Sequence, residues 1–416
     1  MIVAVDLDGT LCSWIPGEYD KAQPFPEKCA AIRRLKDRGE QIWIYTARGS
    51  SLGSAEAADA RWGQVTREQL TAWQVPFDQL IFGKPPYEVL IDDRSVVFTQ
   101  DWEEQLARNA ATREARTAAN APQAPAVCYL CGSEDCERIS DCLRAGLETR
   151  FALRPYRCRK CSLVFLHPLM SPAEESAFYE NEYRRIYHGG EYDLESFDRA
   201  RQADSNLRVD RLRTSGLLRG QALDVGCSTG NFLATIRPEI AGVRGVEPDA
   251  RQRAFAQQRG IPVESDVSLL GDGKFDLITV FHVLEHIRDP SAFLADLAGR
   301  LAPGGALVVE VPNVDDALLG RFHIDEFAQF YWHPAHSYYF SAATLKAVAE
   351  RAKLQAEVTG VQRYTLANHL SWLRDRRPGG KTADTSFVSE ATLRAYSDDL
   401  CRSFACDTLW MVCRPL

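Results

Sequence analysis

The stretch ALDVGCSTGNFL, Ala222–Leu233, decides how most of the chain is read. An apolar run leads to Asp224, and Gly226 and Gly230 frame a loop that lets backbone approach a ligand before a helix begins near Asn231. Glu247, in GVEPD, stands 23 residues after Asp224 at the expected end of a second strand, where its carboxylate is placed to accept two hydrogen bonds from ribose hydroxyls. FDLITVFHVLEHIRDP (275–290) and LAPGGALVVEVPN (301–313) add two further apolar runs that end in polar residues. Motifs at successive strand ends, in this order, predict a nucleoside pocket in an α/β sheet. A dinucleotide site competes, but it wants G-x-G-x-x-G. The pattern here is D-x-G-x-x-x-G, without the closing third glycine.

These residues resemble a class I S-adenosylmethionine-dependent methyltransferase over about residues 128–416. The resemblance implies a doubly wound sheet in which Asp224, Gly226, Cys227 and Gly230 surround the methionine moiety of S-adenosylmethionine. It also puts Glu247 on the ribose, Asp266 near the adenine, and Phe281 and His282 on the cofactor floor. Methyl transfer from a sulfonium needs chiefly in-line positioning, with a base only where the acceptor must lose a proton. The candidate bases are His282 and His286 of FHVLEH, and His333 and His336 of FYWHPAHSYYFS. The i, i+3, i+4 spacing of His282, Glu285 and His286 predicts one helical face on which one group orients another. The plainer alternative is a helix start packed below the cofactor, with His286 satisfied by backbone. Further on, Arg363, Tyr364, Asn368 and His369 in QRYTLANHLSWL form a candidate contact for an anionic or polyhydroxylated acceptor, though an ordinary amphipathic helix looks much the same. The closing DTLWMVCRPL reads as a last strand returning to the sheet edge.

The amino-terminal end carries a different chemistry. Ile2–Val5 reads as a buried strand that stops at Asp6 and Asp8 of DLDGT. Ile42–Tyr45 stops at Thr46 of YTAR, Lys84 lies in GKP, and Val89–Ile91 stops at Asp92 and Asp93. Carboxylates converging on one hard cation, with a hydroxyl and a lysine as fixed donors, suit phosphoryl transfer. The set resembles the haloacid dehalogenase superfamily of phosphatases over roughly residues 1–105, and more narrowly small phosphatases found with surface-polysaccharide genes. By that resemblance Asp6 is the nucleophile, Asp8 the general acid and base, and Thr46 and Lys84 the phosphate binders. Asp6, Asp8, Asp92 and Asp93 form the Mg²⁺ cluster, and Arg48 touches substrate. Only 37 residues separate Asp8 from Thr46, and 37 separate Thr46 from Lys84, so a capless, open site is expected.

Cys128-x-x-Cys131 and Cys158-x-x-Cys161 have zinc-ribbon spacing, which predicts a structural Zn²⁺ held by four thiolates. A segment too short to build its own core would gain its folding energy from that metal. Cys136 and Cys142 lie nearby without a partner at knuckle spacing.

At 416 residues with 45% hydrophobic content the chain has room for two or three domains. The reading is an α/β multidomain protein: a capless haloacid-dehalogenase-like Rossmannoid phosphatase domain (1–109), a linker (110–126), a zinc-ribbon module (127–175) and a methyltransferase domain (176–416). A formal charge of −8 with no dense basic cluster argues against nucleic acid as a partner. No apolar run is long enough to span a membrane and no leader precedes the first strand, so a cytoplasmic enzyme is expected. The favoured function is bifunctional, removing phosphate and adding methyl on small, sugar-like substrates. The alternative is a methyltransferase whose amino-terminal domain only binds a phosphorylated group or a partner; a third class, a zinc-stapled scaffold, would be expected to carry damaged motifs.

Overall fold

The computed structural model describes residues 2–13, 15, 17–84, 125–144, 153–181, 183, 192–378 and 384–416. The expectations for Asp92, Asp93, the strand Val89–Ile91 and nearly all of the linker lie outside these residues. The chain divides into two compact units, Met1–Thr112 and Arg113–Leu416.

The first unit carries a parallel sheet of β1 (Ile2–Asp6), β2 (Gln41–Thr46) and β3 (Gln79–Phe82), in that order. Each strand alternates buried and exposed residues or is short and apolar, and the helices Pro26–Asp37 and Ala55–Ala72 connect them. Proline at the first turn opens the former helix, and Ser54 caps the latter by accepting from Ala57 N. Leu7, Leu11, Ile32, Ile42, Ile44 and Leu70 fill the core between them. Among the described residues the elements between Asp8 and Lys84 are those of the sheet, its two connecting helices and two short 3-10 turns.

In the second unit, β4 (Cys136–Arg138), β5 (Arg154–Cys158) and β6 (Val164–His167) precede the large sheet. That sheet comprises β7 (Gln221–Val225), β8 (Gly242–Val246), β9 (Val263–Glu264), β10 (Phe275–Phe281), β11 (Leu301–Pro312), β13 (Leu354–Val361) and β14 (Thr408–Pro415). Its order is β13-β14-β11-β10-β7-β8-β9. All neighbours are parallel except β14, which runs antiparallel to both β11 and β13. The middle strands are buried on both faces, which explains why FDLITVF and ALVVEV read as continuous apolar runs. The final strand does not lie at the edge: β14 inserts between β11 and β13, and β13 takes the edge. Hydrophobic continuity of LWMVC signals burial but not which neighbour supplies it.

The cysteine-rich segment is not a separate module. A short strand from the far end of the chain, β12 (Tyr338–Tyr339), pairs antiparallel with β6 to make a four-stranded sheet of order β12-β6-β5-β4. Cys128, Cys158, Leu163 and Phe165 share one apolar cluster with Leu223, Ile278, Val309, Phe340 and Met411 of the large-sheet region. The helix Pro172–Asn181 also crosses the expected 175/176 boundary. A segment of this size lacks the apolar residues for a closed core of its own, so it borrows one.

That sharing makes Phe165, 4% exposed, a test position. Phe165→Ala is expected to cost about 3–5 kcal/mol, and to shift the urea midpoint of the whole second unit when followed by fluorescence of its tryptophans. Loss confined to β4–β6, with the large sheet unmoved, would show the core to be divided.

Candidate functional sites

In the first unit, β1 delivers Asp6 and Asp8 to the carboxyl edge of the small sheet, and β2 delivers Thr46. Lys84 Nζ lies 2.5 Å from Asp6 Oδ2, and Asp6 Oδ1 accepts from Leu7 N at 2.9 Å. Asp8 is held quite differently. Arg48, 1% exposed, donates Nε to both carboxylate oxygens at 3.0 Å and Nη2 to Oδ1 at 2.8 Å. Thr46 Oγ1 donates to Asp8 Oδ2 at 3.1 Å. Arg48 is itself fixed by Thr66 Oγ1 and Gln69 Oε1, with the ring of Tyr19 5.2 Å away.

Arg48, expected to touch substrate, is here a buried partner of Asp8. Thr46 is fully buried and spends its hydroxyl on Asp8, not on open space. Asp8 has both oxygens occupied, which leaves Asp6 as the accessible acid of the pair, its side chain 35% exposed. A planar guanidinium matches a carboxylate with two parallel bonds, so once Arg48 is buried it claims Asp8. The other two carboxylates of the expected Mg²⁺ cluster, Asp92 and Asp93, lie outside the described residues.

In the second unit, the ends of β7, β8 and β10 open into a cleft of ≈ 1680 Å³. Gly226 and Gly230 have φ of +79° and +73°, and a Cβ on Gly226 would stand 2.3 Å from Val283 Cγ2. Only glycine meets both demands. Gly226 N and Cys227 N both donate to Val246 O, which draws the loop against β8. Glu247, just beyond β8, accepts from Ser228 N at 2.9 Å and Asp249 N at 2.8 Å, one oxygen each, so each keeps lone-pair capacity toward the cleft. Burial raises its carboxyl, and burial likewise pushes Asp224 up to about 7 although Thr279 Oγ1 donates to it at 2.7 Å. Asp266 also lines the cleft, but its Oδ1 caps the short turn Val267–Leu270 through Ser268. Phe281 and His282 line the same cleft.

The segment FHVLEH is not one helical face. Phe281 ends β10, His282 turns into the left-handed region at φ +55°, and only Leu284–His286 coil, as a single 3-10 turn. A nonglycine residue there costs on the order of 1–3 kcal/mol and persists only where surroundings enforce it. His282 N donates to Glu310 O at 2.8 Å, and the ring sits in a charged cluster. Arg208 forks onto Glu310 at 2.9 and 2.8 Å. His282 Nε2 lies 3.0 Å from Glu310 Oε1 and 2.7 Å from Arg363 Nη1, while Arg363 Nη2 donates to Asp204 at 2.7 Å. Nε2 serves one partner at a time: without a proton it accepts from Arg363, and carrying one it donates to Glu310. Burial lowers His282, but Glu285 and Glu310 outweigh it and the net direction is upward. Glu310 is held well below the ordinary carboxylate value because Arg208 and His282 overcome its burial. Sequence reasoning missed Arg208 and Glu310. A lone acid inside LVVEVP was the available signal, since a charge in a buried strand requires a partner.

His286 and His336 come together, ring centroids 4.8 Å apart. His286 Nδ1 lies 2.9 Å from Ala335 O and 3.0 Å from Tyr179 OH. The plainer expectation of a backbone partner is thus met, by a residue 49 positions away. Burial lowers both imidazoles, His336 strongly. His333, 1% exposed, turns inward, and its Nδ1 accepts from Ala335 N. Arg363, Tyr364 and Asn368 line the cleft, whereas His369 does not. It is 1% exposed and pairs its Nδ1 with Tyr396 OH at 2.5 Å.

The cysteine sulfurs also converge. Cys128 and Cys161 lie 3.5 Å apart, as do Cys131 and Cys158, and all four Sγ atoms fall within 4.8 Å of one another. Four thiolates around one Zn²⁺ at about 2.3 Å would be separated by just under 4 Å, so the set fits that ion. Among the described residues no helix is long and apolar enough to cross a membrane.

With this geometry in view, residues 197–357 match the family described as a methyltransferase domain. A ubiquinone biosynthesis O-methyltransferase of Pectobacterium atrosepticum is 25% identical over 191 residues, 42% of this chain and 76% of that protein. A tRNA U34 carboxymethyltransferase of Dichelobacter nodosus is 34% identical over 122 residues, 27% of this chain and 39% of that protein. A solved methyltransferase structure from Thermotoga maritima, described as a possible histamine N-methyltransferase, shares 20% identity at a TM-score of 0.36 over 58% of this chain and 97% of its own. Residues 197–357 are a methyltransferase domain of the class I, S-adenosylmethionine-dependent kind.

His369 supplies a clean titration. Burial lowers it from 6.5 to about 4. A base whose folded value lies below its unfolded one stabilises above pH 6.5, and that contribution drains as pH falls toward 4. The loss is on the order of 3 kcal/mol. His369→Gln is expected to flatten this part of the stability–pH curve, measured by urea unfolding, while leaving donor binding intact. A parallel loss of donor binding would return His369 to the cleft.

Proposed function

We propose that the cleft transfers a methyl group from S-adenosylmethionine to a small, polyhydroxylated, sugar-like acceptor. The observation that carries this is the placement of Glu247 beside the Gly226–Gly230 loop, at the end of the strand next to β7. Glu247 accepts the ribose hydroxyls, and the left-handed glycines let the backbone lie against the donor's amino-acid end. Asp224, Cys227 and Asp266 line the same pocket. When bound, S-adenosylmethionine supplies an electrophilic methyl on a positively charged sulfur. The Arg208–Glu310–His282–Arg363 cluster orients the floor, and Arg363, Tyr364 and Asn368 supply donors and acceptors for acceptor hydroxyls. His286, with Nδ1 committed to Ala335 O, presents Nε2 as the base for an acceptor that must shed a proton, with His336 beside it. The four cysteines Cys128, Cys131, Cys158 and Cys161 hold a structural Zn²⁺ that closes the borrowed core.

The amino-terminal unit, on this reading, handles a phosphorylated small molecule, and the enzyme is cytoplasmic. Support comes from the Asp6–Lys84 pair at an uncapped strand edge. Lys84 neutralises phosphate charge, and Asp6 is the nucleophile. Asp8, clamped by Arg48, takes no part in proton delivery unless that ion pair opens. The alternative, a unit that binds phosphate without turning it over, is favoured by the same clamp.

Glu247→Ala is expected to weaken S-adenosylmethionine binding at least tenfold by calorimetry, with a lowered unfolding midpoint because Ser228 N and Asp249 N lose their acceptor; unaltered affinity in the folded variant would remove the proposed ribose contact. Phosphate release from a panel of sugar phosphates with Mg²⁺ should be abolished in Asp6→Asn. If the parent releases none while the same compounds bind, the amino-terminal unit is a binding module.

A further inference from the structure

The floor of the cleft holds a second group of potential ligands, distinct from the cysteines. One ligand atom each from Glu285, His286 and His336 lies within 4.8 Å of the other two. Glu285 and His286 sit on the 3-10 turn after β10, and His336 on the loop between the helix Asp325–Tyr331 and β12. The contact of His286 Nδ1 with Ala335 O ties the two segments together.

Glu285 is the unusual member. It is 1% exposed, and neither carboxylate oxygen has a hydrogen-bond partner among the described residues. His282 Nδ1 stands 3.3 Å from Oε1, an ion-pair contact when that ring is protonated but not a hydrogen bond, and Oε2 has neither among the described residues. The Nδ1 of His336 is also buried without a partner among the described residues. A buried carboxylate facing an imidazole lone pair is costly unless a cation or a proton donor stands between them. Tyr179 and Ala335 both contact His286 Nδ1, which leaves Nε2 as the lone-pair nitrogen. Fixing the far nitrogen of an imidazole in this way is what metal-ligating histidines require.

We propose that Glu285, His286 and His336 bind a divalent transition-metal ion at the floor of the cleft. Two imidazoles and one carboxylate suit Fe²⁺, Co²⁺, Mn²⁺ or Zn²⁺ over the hard ions Mg²⁺ and Ca²⁺. Three protein ligands leave coordination positions open toward the cleft, unlike the closed cysteine set. The site deepens the methyltransferase reading by placing a cation beside the acceptor and replaces the base role given to His286 Nε2, since one lone pair cannot both ligate and accept a proton; binding of the ion does not depend on that reading.

The test uses the full chain, stripped with chelator and titrated with Co²⁺. It carries Asp6→Asn, to weaken any cation site in the amino-terminal unit. Two Co²⁺ per chain are expected: one with strong thiolate-to-metal absorption, lost in Cys158→Ser, and one without it. Glu285→Gln and His336→Gln should each lose the second ion, with at least tenfold weaker binding, while keeping the first. S-adenosylmethionine binding reports folding of the cleft and is read separately. If Glu285→Gln also loses donor binding, His336→Gln decides. A second Co²⁺ that persists unchanged in His336→Gln, or a parent that binds only at the thiolates, overturns the proposal. Absence of donor binding in the parent would overturn the methyltransferase reading instead and leave the Co²⁺ count standing.

Discussion

The antiparallel pairing of β6 with β12 is the constraint on which the second unit depends. Phe165 faces Tyr338 and Val164 faces Tyr339, joining chain segments more than 170 residues apart. This pairing brings the cysteine-rich strands onto the apolar flank of the large sheet, so the two share a core that neither would close alone. It also sets the register of the loop that precedes β12. His333 N donates to Tyr339 OH at 2.6 Å, and Tyr339 OH in turn donates to His333 O, which folds the HPAH turn back onto the strand. His336 reaches His286 because that turn is held.

Burial of charge organises the rest of the cleft. Glu310 is the only acid in the apolar part of β11, and its desolvation is offset by the fork of Arg208 and by His282. Removing one member leaves a buried charge without compensation, which costs several kcal/mol. The backbone strain at His282 is tolerated because its amide and its ring are both anchored to Glu310. The same logic governs the amino-terminal unit, where Arg48 is buried and Asp8 is what it finds. In both units an arginine selects the acid it neutralises.

Local sequence determined the elements whose cause is local. Strand ends at Asp6, Thr46 and Val225, the left-handed glycines at 226 and 230, the position of Glu247, and the paired cysteine knuckles follow from apolar runs, from φ preference and from spacing. Each depends on residues fewer than about six positions away, or on a motif whose spacing is itself the geometry. The tertiary structure alone decided which strand β14 joins, that β12 completes the cysteine sheet, that Arg48 faces Asp8 from 40 positions away, and that His369 meets Tyr396 and not the cleft. It also brought Glu285 and His336 into one group. The physical reason is that partner choice for a buried polar or apolar group is settled by which distant surface is close enough to desolvate it, and sequence spacing carries no record of that distance.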